Sequence, residues 1–364
     1  MNMAAPPAAQ PSTAFAPRLI DWQRRAGRHG LPWQGTRDPY RVWLSEVMLQ
    51  QTQVSTVLAY YPQFLARFPT VQALAQAHED EVMALWSGLG YYSRARNLHR
   101  CAQAVVTLHG GHFPDTAQGL QALPGIGAST AAAIAAFCHG ERISILDGNV
   151  RRVLTRLLAF ADDLARPAAQ RALWDAAQAL LPAAPAGDDM AAYTQGLMDL
   201  GATLCTRSRP RCADCPVRDL CQASALGRPE DFPVKTRTLV RRHESWTLLI
   251  CRAQIDGQPH VWLQRRPPRG IWAGLYCTPV YASEAEAQAR LAGTAAGPAL
   301  RPLQAFSHSL THRELRLQPL LFDGSAAGCA GMGDGQWVRL ADLAGVGLPA
   351  PLRQLLERLP DPAA

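Results

Sequence analysis

The chain has 364 residues, a formal net charge of +7 and nine cysteines, and its length favours two domains over a single hydrophobic core. No apolar run approaches the roughly 18 to 20 residues of a membrane-spanning helix, and the first residues lack the basic start and apolar core of a signal peptide. We therefore expect a protein of the cell interior whose cysteines are reduced or bound to metal. The excess positive charge suits a polyanionic partner.

Composition divides the chain into four predicted segments. Residues 1–17 are rich in Ala and Pro and are expected to form a disordered tail. Residues 18–226 have mostly helical apolar spacing and predict an all-α domain. Residues 227–241 combine Pro, Gly and mixed charge, which is typical of a linker. Residues 242–360 contain two β-rich runs around a Gly-containing turn, a run with period-two alternation and a final helix, and they predict a mixed α and β domain.

Four cysteines lie close together with the spacing C-x6-C-x2-C-x5-C; they are Cys205, Cys212, Cys215 and Cys221. Four thiolates at this spacing can bind one tetrahedral zinc ion or one iron–sulfur cluster, and the spacing alone does not choose between them. Arginines stand between and beside these cysteines. Such a loop is suited to contact with duplex phosphates.

The segment LPGIG stands between two predicted helices, and Gly125 and Gly127 open the second helix. Glycines at a helix start let backbone amides approach a phosphate at the positive end of the helix dipole. The preceding proline, the flanking helices and Gly140 at the end of the second helix favour a helix–hairpin–helix motif over an ordinary turn. Such a motif would hold the DNA backbone without reading its sequence.

Two carboxylates are candidates for catalysis. Glu46 is the only charged residue between Arg41 and Arg67, and loss of water around such a group raises its pKa, which suits a general acid at neutral pH. The alternative is that Glu46 points to solvent. Asp147 precedes a helix with regular apolar spacing, where an aspartate caps the helix and the dipole favours its negative charge. One neutral and one anionic carboxyl group divide the work of glycosidic bond cleavage in other enzymes.

These pieces occur within longer segments: WLSEVMLQQTQV, LWSGLGYYSRARNL, LPGIGASTAAAI, ILDGNVRRVL, MDLGATLCTRSRPRC and a late FSH. Together they resemble adenine DNA glycosylases of the MutY type from LPWQ onward. The resemblance implies an all-α helix–hairpin–helix catalytic domain with a [4Fe–4S] cluster on the four cysteines, followed by an α+β Nudix-like domain. It also implies a monomeric, cytoplasmic and nucleoid-associated enzyme without a membrane contact, which removes adenine paired with 8-oxoguanine or guanine in double-stranded DNA.

The same resemblance implies roles for individual residues. Glu46 would protonate N7 of the flipped adenine, Asp147 would stabilise the oxocarbenium-like sugar, and Asn149 would assist near the pocket. The positions that match the family's DNA contacts are Gln50, Gln51, Thr52, Tyr91, Gly125, Gly127 and Ser129. The FSH triplet Phe306, Ser307 and His308 matches the family's loop that recognises 8-oxoguanine over guanine. The second domain lacks the Nudix catalytic box, because Arg313 and Glu314 are not followed by a Glu-Glu pair. We therefore expect recognition there and not pyrophosphate hydrolysis.

Two other functions are compatible with parts of the sequence. An endonuclease III type of enzyme would remove oxidised pyrimidines and cleave the strand with a lysine after the hairpin. Here that position is Ser129, and the only lysine of the chain is Lys235 in the predicted linker. A non-catalytic metal-containing protein that binds DNA would tolerate replacement of Glu46 or Asp147. Arg151 stands where some relatives carry lysine, so weaker amine crosslinking to abasic DNA is expected.

Overall fold

The computed structural model describes residues 13–234, 236, 241–291, 300–326 and 332–360. The helices are α1 (Phe15–Ala26), α2 (Pro39–Leu49), α3 (Val54–Arg67), α4 (Val71–Gln76), α5 (Glu79–Leu85), α6 (Ser93–His109), α7 (Ala117–Gln121), α8 (Ala128–His139), α9 (Gly148–Leu157), α10 (Pro167–Ala179), α11 (Asp189–Thr203), α12 (Gln222–Ala225), α13 (Glu284–Leu291) and α14 (Ala350–Leu356). The strands are β1 (Arg242–Ile255), β2 (Gln258–Arg265), β3 (Tyr276–Cys277), β4 (Val280–Tyr281), β5 (Arg301–Pro302), β6 (Phe306–Ser309), β7 (Arg313–Gly324) and β8 (Gln336–Arg339). Within the described ranges, no helix combines the length and apolar character that crossing a bilayer requires.

The chain divides into two compact units. The first unit is the described part of Met1–Ala75 and Arg100–Thr238, and the second is the described part of Gln76–His99 and Leu239–Ala364. The sequence assigns residues 76–99 to the helical domain, whereas in the structure they pack in the second unit. Helical periodicity shows that a segment has an apolar face, but it does not show which core that face joins.

Helix α1 begins inside the segment expected to be a tail. Phe15 is fully buried, and its ring packs edge-on against Tyr193 of α11 with 6.3 Å between ring centroids. Leu19 and Ile20 follow on the same buried face. The predicted tail is therefore wrong for residues 15–17, because an aromatic anchor brings this segment into the core. Residues 1–12 of the predicted tail lie outside the described residues.

The hairpin motif is formed by α7, a turn and α8. Gly125 adopts a φ of +77°, which a residue with a side chain rarely adopts, so glycine is needed in this turn. Gly127 is the N-cap of α8, and Gly140 ends that helix in the left-handed conformation. The alanines of α8 are almost all buried, because α2, α7 and α11 pack around the helix. The predicted helix–hairpin–helix geometry is confirmed.

The second unit is built on a mixed sheet. Strand β1 pairs with β2 in antiparallel fashion and with β7 in parallel fashion, with Arg242 opposite Arg313. Strand β8 joins the free side of β2, and β6 joins β7. Leu249, Phe322 and Leu291 of α13 belong to the core on one face of this sheet. The β-rich runs and the final helix predicted from the sequence are confirmed as β1, β2, β7 and α14.

Residues 76–99 are held to the second unit by hydrogen bonds. The Ser87 hydroxyl donates to the Leu348 carbonyl at 2.6 Å, and the Tyr92 hydroxyl donates to the same oxygen at 3.2 Å. Arg353 of α14 donates to the Ser87 hydroxyl at 3.3 Å. In the predicted linker, Pro229–Asp231 forms a 3₁₀ helix, and Lys235 lies outside the described residues.

Candidate active site

A cavity of about 990 Å³ lies in the first unit, and we call it the Asp147 cleft. It brings together seven of the residues predicted from the sequence, namely Glu46, Gln50, Gln51, Thr52, Ser129, Asp147 and Asn149. Arginines also line it, namely Arg28, Arg152, Arg156 and Arg207. Four guanidinium groups beside a helix N-terminus make this cleft favourable for a polyanionic backbone.

A second cavity of about 610 Å³ also lies in the first unit, and we call it the Trp33 pocket. The rings of Trp33 and Phe137 and the polar groups of Arg28 and Gln195 line it. Glu46 lines both the Trp33 pocket and the Asp147 cleft. A flat aromatic ligand in the Trp33 pocket would therefore meet the Glu46 carboxyl group and two hydrogen-bonding side chains.

Helix α2 places Glu46 in an apolar environment. Asp38 is the N-cap of this helix, and its carboxylate accepts a hydrogen bond from Tyr40 N at 2.9 Å. Around Glu46 the helix buries Trp43, Val47 and other apolar side chains. Burial raises the pKa of Glu46 to about 8, and the negative charge of Asp147 adds to this rise. This is the direction that the isolated position of Glu46 in the sequence predicts, and it gives a carboxyl group that still carries its proton at neutral pH.

Asp147 caps helix α9. Its Oδ1 atom accepts hydrogen bonds from Asn149 N and Val150 N, each at 2.7 Å. The preceding residue is also fixed, because Leu146 N donates to Ser129 Oγ at 3.0 Å. Two backbone donors and the positive end of the helix dipole stabilise a negative charge on Asp147. The predicted N-cap is confirmed, and it orients this carboxylate into the cleft.

Asn149 is tied to the cysteine loop through one arginine. Its Oδ1 atom accepts a hydrogen bond from Arg152 Nη2 at 2.9 Å. Arg152 also donates to the carbonyls of Cys205 and Gly201, each at 2.7 Å. Because arginine only donates hydrogen bonds, the amide oxygen of Asn149 must face Arg152. The NH₂ group of Asn149 therefore points away from Arg152.

Residues 50–52 leave helix α2 before they reach the cleft. The helix ends at Leu49, so Gln50 and Gln51 lie beyond its end. Gln51 adopts a φ of +55°, which turns the chain sharply. The Gln50 amide donates to Thr130 Oγ1 at 3.3 Å, which connects this turn to helix α8. The amide and hydroxyl groups of the turn line the cleft.

The four loop cysteines lie together at the edge of the first core. They are free thiols of intermediate burial, and Cys205, Cys215 and Cys221 pack against buried residues of that core. Burial raises the pKa of Cys215 to about 12, with the charges of Cys205, Cys221 and Cys212 adding to the rise. Within the described residues, no group of three or more His, Cys, Asp or Glu side chains is placed to hold a metal ion. The metal prediction therefore rests on the cysteine spacing and the family resemblance.

Arg156 holds the cysteine loop to helix α9. This buried guanidinium donates to Cys205 Sγ at 3.4 Å and to the carbonyls of Thr206 and Arg207 at 2.7 and 3.0 Å. It also donates to the Phe232 carbonyl at 3.1 Å. A donor aimed at a cysteine sulfur stabilises a thiolate, which is the ligand form of cysteine.

The predicted glycines of the hairpin do not line the Asp147 cleft. Gly125 and Gly127 are exposed at the turn, while Ser129 and Thr130 in the first turn of α8 line the cleft. The exposed amides of the turn remain available to a phosphate, as the motif predicts.

The remaining predicted contacts lie in the second unit. Tyr91 is 44% exposed and adopts a φ of +47°, which is a strained conformation for a residue with a side chain. The Arg94 guanidinium lies 5.5 Å from the centre of its ring. The Tyr91 hydroxyl lies 3.1 Å from Thr311 Oγ1, within hydrogen-bond distance. These contacts hold the ring of Tyr91 in one orientation.

The FSH triplet lies on a strand and not in a loop. Ser307 of β6 pairs with Arg316 of β7, and the ring of His308 packs against Trp272 with 6.0 Å between centroids. Burial lowers the pKa of His308. The interpretation of residues 306–308 as a loop is therefore wrong, because they pair with β7. The residue that meets Tyr91 is Thr311, in the turn after this strand.

Sequence reasoning missed several residues that the structure places at these sites. Asp199 of α11 is fully buried and accepts hydrogen bonds from Arg28 and Gln195. One signal could have identified Asp199, because it is the only charged residue between Asp189 and Arg207. The arginines offer no such signal, since the chain has many of them.

Comparison with known proteins assigns the two parts of the chain. Residues 44–179 match the HhH-GPD superfamily of base excision DNA repair proteins, and residues 250–358 match the NUDIX domain. The adenine DNA glycosylase of Buchnera aphidicola from Acyrthosiphon pisum is 32% identical over 348 residues, which cover 94% of this chain and 97% of that protein. The chain belongs to the adenine DNA glycosylase family. It is therefore an adenine-specific DNA glycosylase, a hydrolase of N-glycosyl bonds.

Relatives from other organisms agree with this family assignment. The adenine DNA glycosylase of Mus musculus is 40% identical over 312 residues, covering 72% of this chain and 60% of that protein. The human adenine DNA glycosylase is 36% identical over 366 residues, covering 84% of this chain and 66% of that protein. A solved structure of a thermostable thymine-DNA glycosylase is 25% identical with a TM-score of 0.51, covering 58% of this chain and 96% of that one. The predicted fold, a helical helix–hairpin–helix domain followed by a Nudix-like domain, is confirmed.

Proposed function

We propose that this glycosylase removes adenine mispaired with 8-oxoguanine or guanine from duplex DNA, by hydrolysis and without a strand-cleaving step. The observation that carries the proposal is the pairing of two unlike carboxyl groups in one cleft. Glu46 has a pKa of about 8, and Asp147 accepts two backbone N–H groups at a helix N-terminus. Acid-assisted cleavage of a glycosidic bond needs one protonated and one anionic carboxyl group.

The chemistry follows from these two environments. The Glu46 O–H donates its proton to N7 of the extruded adenine, and the electron pair of the bond between C1′ and N9 passes into the purine ring. The carboxylate of Asp147 stabilises the positive charge that develops on the sugar. Water adds to C1′ and passes a proton to the Glu46 carboxylate, which restores the acid and leaves free adenine and an abasic site. Asn149, with its NH₂ group unused by Arg152, is placed to donate a hydrogen bond in the cleft.

A lyase step is not expected. The hydroxyl of Ser129, which stands where the strand-cleaving relatives place a lysine, accepts a hydrogen bond from Leu146 N. The only lysine of the chain is Lys235, outside the residues that line the Asp147 cleft. An enzyme that forms a Schiff base needs an amine at the sugar, and this cleft offers guanidinium groups in its place.

The test is single-turnover reaction with duplexes that carry adenine opposite 8-oxoguanine, guanine or thymine, or thymine glycol opposite adenine. Strand breaks are measured with and without alkali, because a glycosylase without lyase activity gives breaks only after alkali. We expect rapid loss of adenine opposite 8-oxoguanine, slower loss opposite guanine and almost none opposite thymine. Preferential cleavage at thymine glycol, or breaks of equal yield without alkali, would refute the proposal.

We propose that Tyr91 and Thr311 contact the opposite base. An exposed aromatic ring in a strained conformation is suited to enter a base stack, and the hydroxyl of Thr311 lies 3.1 Å from the Tyr91 hydroxyl. The Thr311 hydroxyl also offers a donor to the oxidised edge of 8-oxoguanine, whereas Ser307 lies on the paired strand β6. Recognition of the opposite base would therefore depend on the turn that contains Thr311.

Replacement of Thr311 by valine is expected to reduce the preference for 8-oxoguanine over guanine by about two- to tenfold, since valine keeps the shape and removes one hydrogen bond. The measurement is the ratio of single-turnover rates for adenine opposite the two bases. Ser307→Ala is the matched comparison and should leave that ratio unchanged. Loss of preference in Ser307→Ala with none in Thr311→Val would return the recognition role to the FSH triplet.

We propose that Cys205, Cys212, Cys215 and Cys221 hold a [4Fe–4S] cluster. The chemistry of the donor set supports the proposal, because four thiols stand in one loop and Arg156 donates to the sulfur of Cys205. The same four sulfurs could bind one zinc ion, and the resemblance to the adenine DNA glycosylases favours the cluster. When bound, the cluster would fix the loop that Arg152 and Arg156 connect to helix α9.

Cys215→Ser is expected to remove the brown colour, the visible absorbance and the roughly four iron atoms per chain of the purified protein. It should also lower the melting temperature, because the loop loses its bound cluster. Cys101→Ala is the control, since Cys101 is a free, buried cysteine of α6 outside the loop, and it should keep the absorbance and iron. One zinc ion per chain with no iron in the wild type would contradict the cluster assignment.

A further inference from the structure

The loop that carries Tyr91 has a constrained backbone. It connects α5 to α6 over residues 86–92, and we call it the Tyr91 loop. Gly88, Gly90 and Tyr91 all adopt positive φ, of +108°, +72° and +47°. Glycine adopts such angles freely, whereas a tyrosine does so only where its surroundings hold it there. The conformation of Tyr91 therefore depends on contacts outside its own residue.

Arg94 binds the backbone of the Tyr91 loop. It stands in the first turn of α6 with only 7% of its surface exposed, and its backbone N–H donates to the Tyr91 carbonyl at 2.8 Å. Its Nη2 atom donates to the carbonyls of Leu89 and Gly90, each at 3.2 Å. These two carbonyls directly precede Tyr91, so one charged donor fixes the peptide groups that lead into it.

The same guanidinium lies against two aromatic rings. Its Cζ atom is 5.4 Å from the centre of the Trp86 ring and 5.5 Å from the centre of the Tyr91 ring. Trp86 is fully buried, whereas Tyr91 is exposed. The Trp86 Nε1 atom also donates to the Gly90 carbonyl at 3.2 Å. The cation of Arg94 therefore connects an exposed ring to a ring that is fixed in the core.

Arg94 keeps its charge in these surroundings. Burial lowers the pKa of Arg94 to about 10, which is still well above neutral pH. A cation that is buried and bonded to loop carbonyls is directed into the protein and away from a DNA phosphate. Its attraction to the Tyr91 ring is strengthened by the same burial, because little water competes for the charge.

We propose that Arg94 is a positioning residue that holds the Tyr91 ring ready to enter the base stack beside the base opposite adenine; this rests on the contact of Tyr91 with that base in the proposed function. A loop with two glycines and an exposed ring would otherwise lose conformational freedom when DNA binds, and that loss weakens binding. Contacts that fix the ring beforehand reduce the loss. The effect of Arg94 should therefore be on affinity for the mispaired duplex and not on bond cleavage.

The experiment compares wild type, Arg94→Met, Tyr91→Ala and the double variant on a duplex with adenine opposite 8-oxoguanine. Affinity is measured with each change in a Glu46→Gln background, which keeps the adenine in place, and the single-turnover rate is measured at saturating enzyme. Methionine keeps an unbranched apolar side chain beside the rings and removes the charge. We expect Arg94→Met to bind about tenfold more weakly, with a saturating rate within about threefold of wild type.

The double variant shows whether Arg94 acts through Tyr91. If Arg94→Met does no more than release the Tyr91 ring, the double variant should bind as weakly as Tyr91→Ala and no more weakly. A role of Arg94 in folding alone would weaken binding by the same factor in both backgrounds. Equal factors in the two backgrounds would overturn the proposal.

Arg94→Lys gives a second test that does not depend on the folding of Arg94→Met. Lysine keeps a cation near the two rings but lacks the guanidinium fork, so it should recover part of the lost affinity, and its remaining defect should disappear in the Tyr91→Ala background. The dependence of affinity on salt should equal that of wild type. A salt slope smaller by about one would show that Arg94 contacts a phosphate directly, and would overturn the proposal.

Arg67→Met is the matched control. Arg67 is an exposed arginine of α3 whose guanidinium lies 5.1 Å from the centre of the Phe68 ring. The substitution removes the same charge and the same type of ring contact away from the Tyr91 loop, so its affinity should match wild type.

The outcomes separate this proposal from the proposed function. Wild type that releases no adenine from any duplex refutes the proposed function. Tyr91→Ala that binds as tightly as wild type refutes the contact of Tyr91 with the opposite base, and the role of Arg94 with it. Weak binding by Tyr91→Ala together with wild-type affinity in Arg94→Met refutes the role of Arg94 alone.

Discussion

Replacement of Glu46 by glutamine is expected to lower the single-turnover rate of adenine removal by about 10³-fold while the affinity for the mispaired duplex stays the same. Glutamine has nearly the same shape as glutamate, so the packing of α2 is preserved. It has no acidic proton to give to N7 of adenine. The unprotonated adenine would have to leave as an anion, which is a poor leaving group. The measurement is alkali-revealed cleavage under single-turnover conditions beside a direct binding titration.

The pH dependence of the wild type tests the same assignment. A general acid must carry its proton, so the rate should be constant below the pKa of Glu46, about 8, and fall about tenfold for each further pH unit. Ordinary glutamate would give a decline that starts near its usual pKa of 4.5. A rate that already declines between pH 5 and 6, about where an exposed carboxyl group has lost its proton, would show that the pKa of the acid is not raised by burial.

The free energy of unfolding should depend on pH through Glu46, and Glu46→Gln should remove this part of the pH dependence. The pKa of Glu46 is higher in the folded chain than in the unfolded chain, so the linked contribution to the free energy of unfolding is complete below about pH 4.5 and is lost by about pH 8. Glu46→Gln lacks this contribution. The melting temperature of the wild type should therefore fall relative to that of the variant as pH rises from about 5 to about 9. A constant difference would show that Glu46 is solvated in the folded chain.

The environments of the two candidate catalytic carboxylates could be predicted from the sequence because local patterns determine them. Glu46 is the single charge in a long apolar stretch, so its neighbours on a helix through that stretch offer it no cation. Asp147 stands one residue before a helix with clear apolar spacing, and the capping geometry depends only on neighbours in the chain. The structure adds the charge of Asp147 as a second cause of the raised pKa of Glu46. This coupling joins α2 to α9 and is not visible in either segment alone.

Residues whose partners are distant in the chain could not be predicted in the same way. Asp199 has the same signature as Glu46, one charge in an apolar helix, yet it accepts from Arg28, 171 positions earlier. Burial with donors and burial without donors give opposite chemistry, and the sequence does not distinguish them. Tyr91 is a similar case. Its segment is helical in pattern, but it joins the unit of the β-sheet, where the hydroxyl of Thr311 meets it.

Three carboxylates of this site therefore have three environments. Glu46 is partly buried among apolar side chains, which raises its pKa to about 8. Asp147 is stabilised by backbone donors at a helix end, and Asp199 is buried against a guanidinium and an amide. The first environment suits an acid, the second suits a stabiliser of positive charge, and the third satisfies a buried charge within the core. The division of roles comes from the local donors, since the side chains themselves differ little.

Asp147 allows catalysis and capping to be separated by two substitutions at one position. Asn and Asp are about equally good N-caps, so Asp147→Asn should keep the hydrogen bonds from Asn149 N and Val150 N and leave the free energy of unfolding nearly unchanged. The variant loses the negative charge beside the developing positive sugar, and its single-turnover rate should fall by about 10² to 10³-fold. Asp147→Ala loses the charge and the cap together, and it should show a comparable rate loss with about 1 kcal/mol lower stability.

The comparison of the two variants distinguishes the electrostatic role from the structural role. If Asp147 acted only by holding the start of α9, Asp147→Asn would retain the wild-type rate and only Asp147→Ala would be slow. If it acts on the reaction, both variants are slow and only the alanine variant is less stable in chemical unfolding. The second pattern is expected, because Oδ1 accepts both capping hydrogen bonds and leaves Oδ2 of the same carboxylate for the sugar. A negative charge placed in this way stabilises the sugar cation without having to reorganise during the reaction.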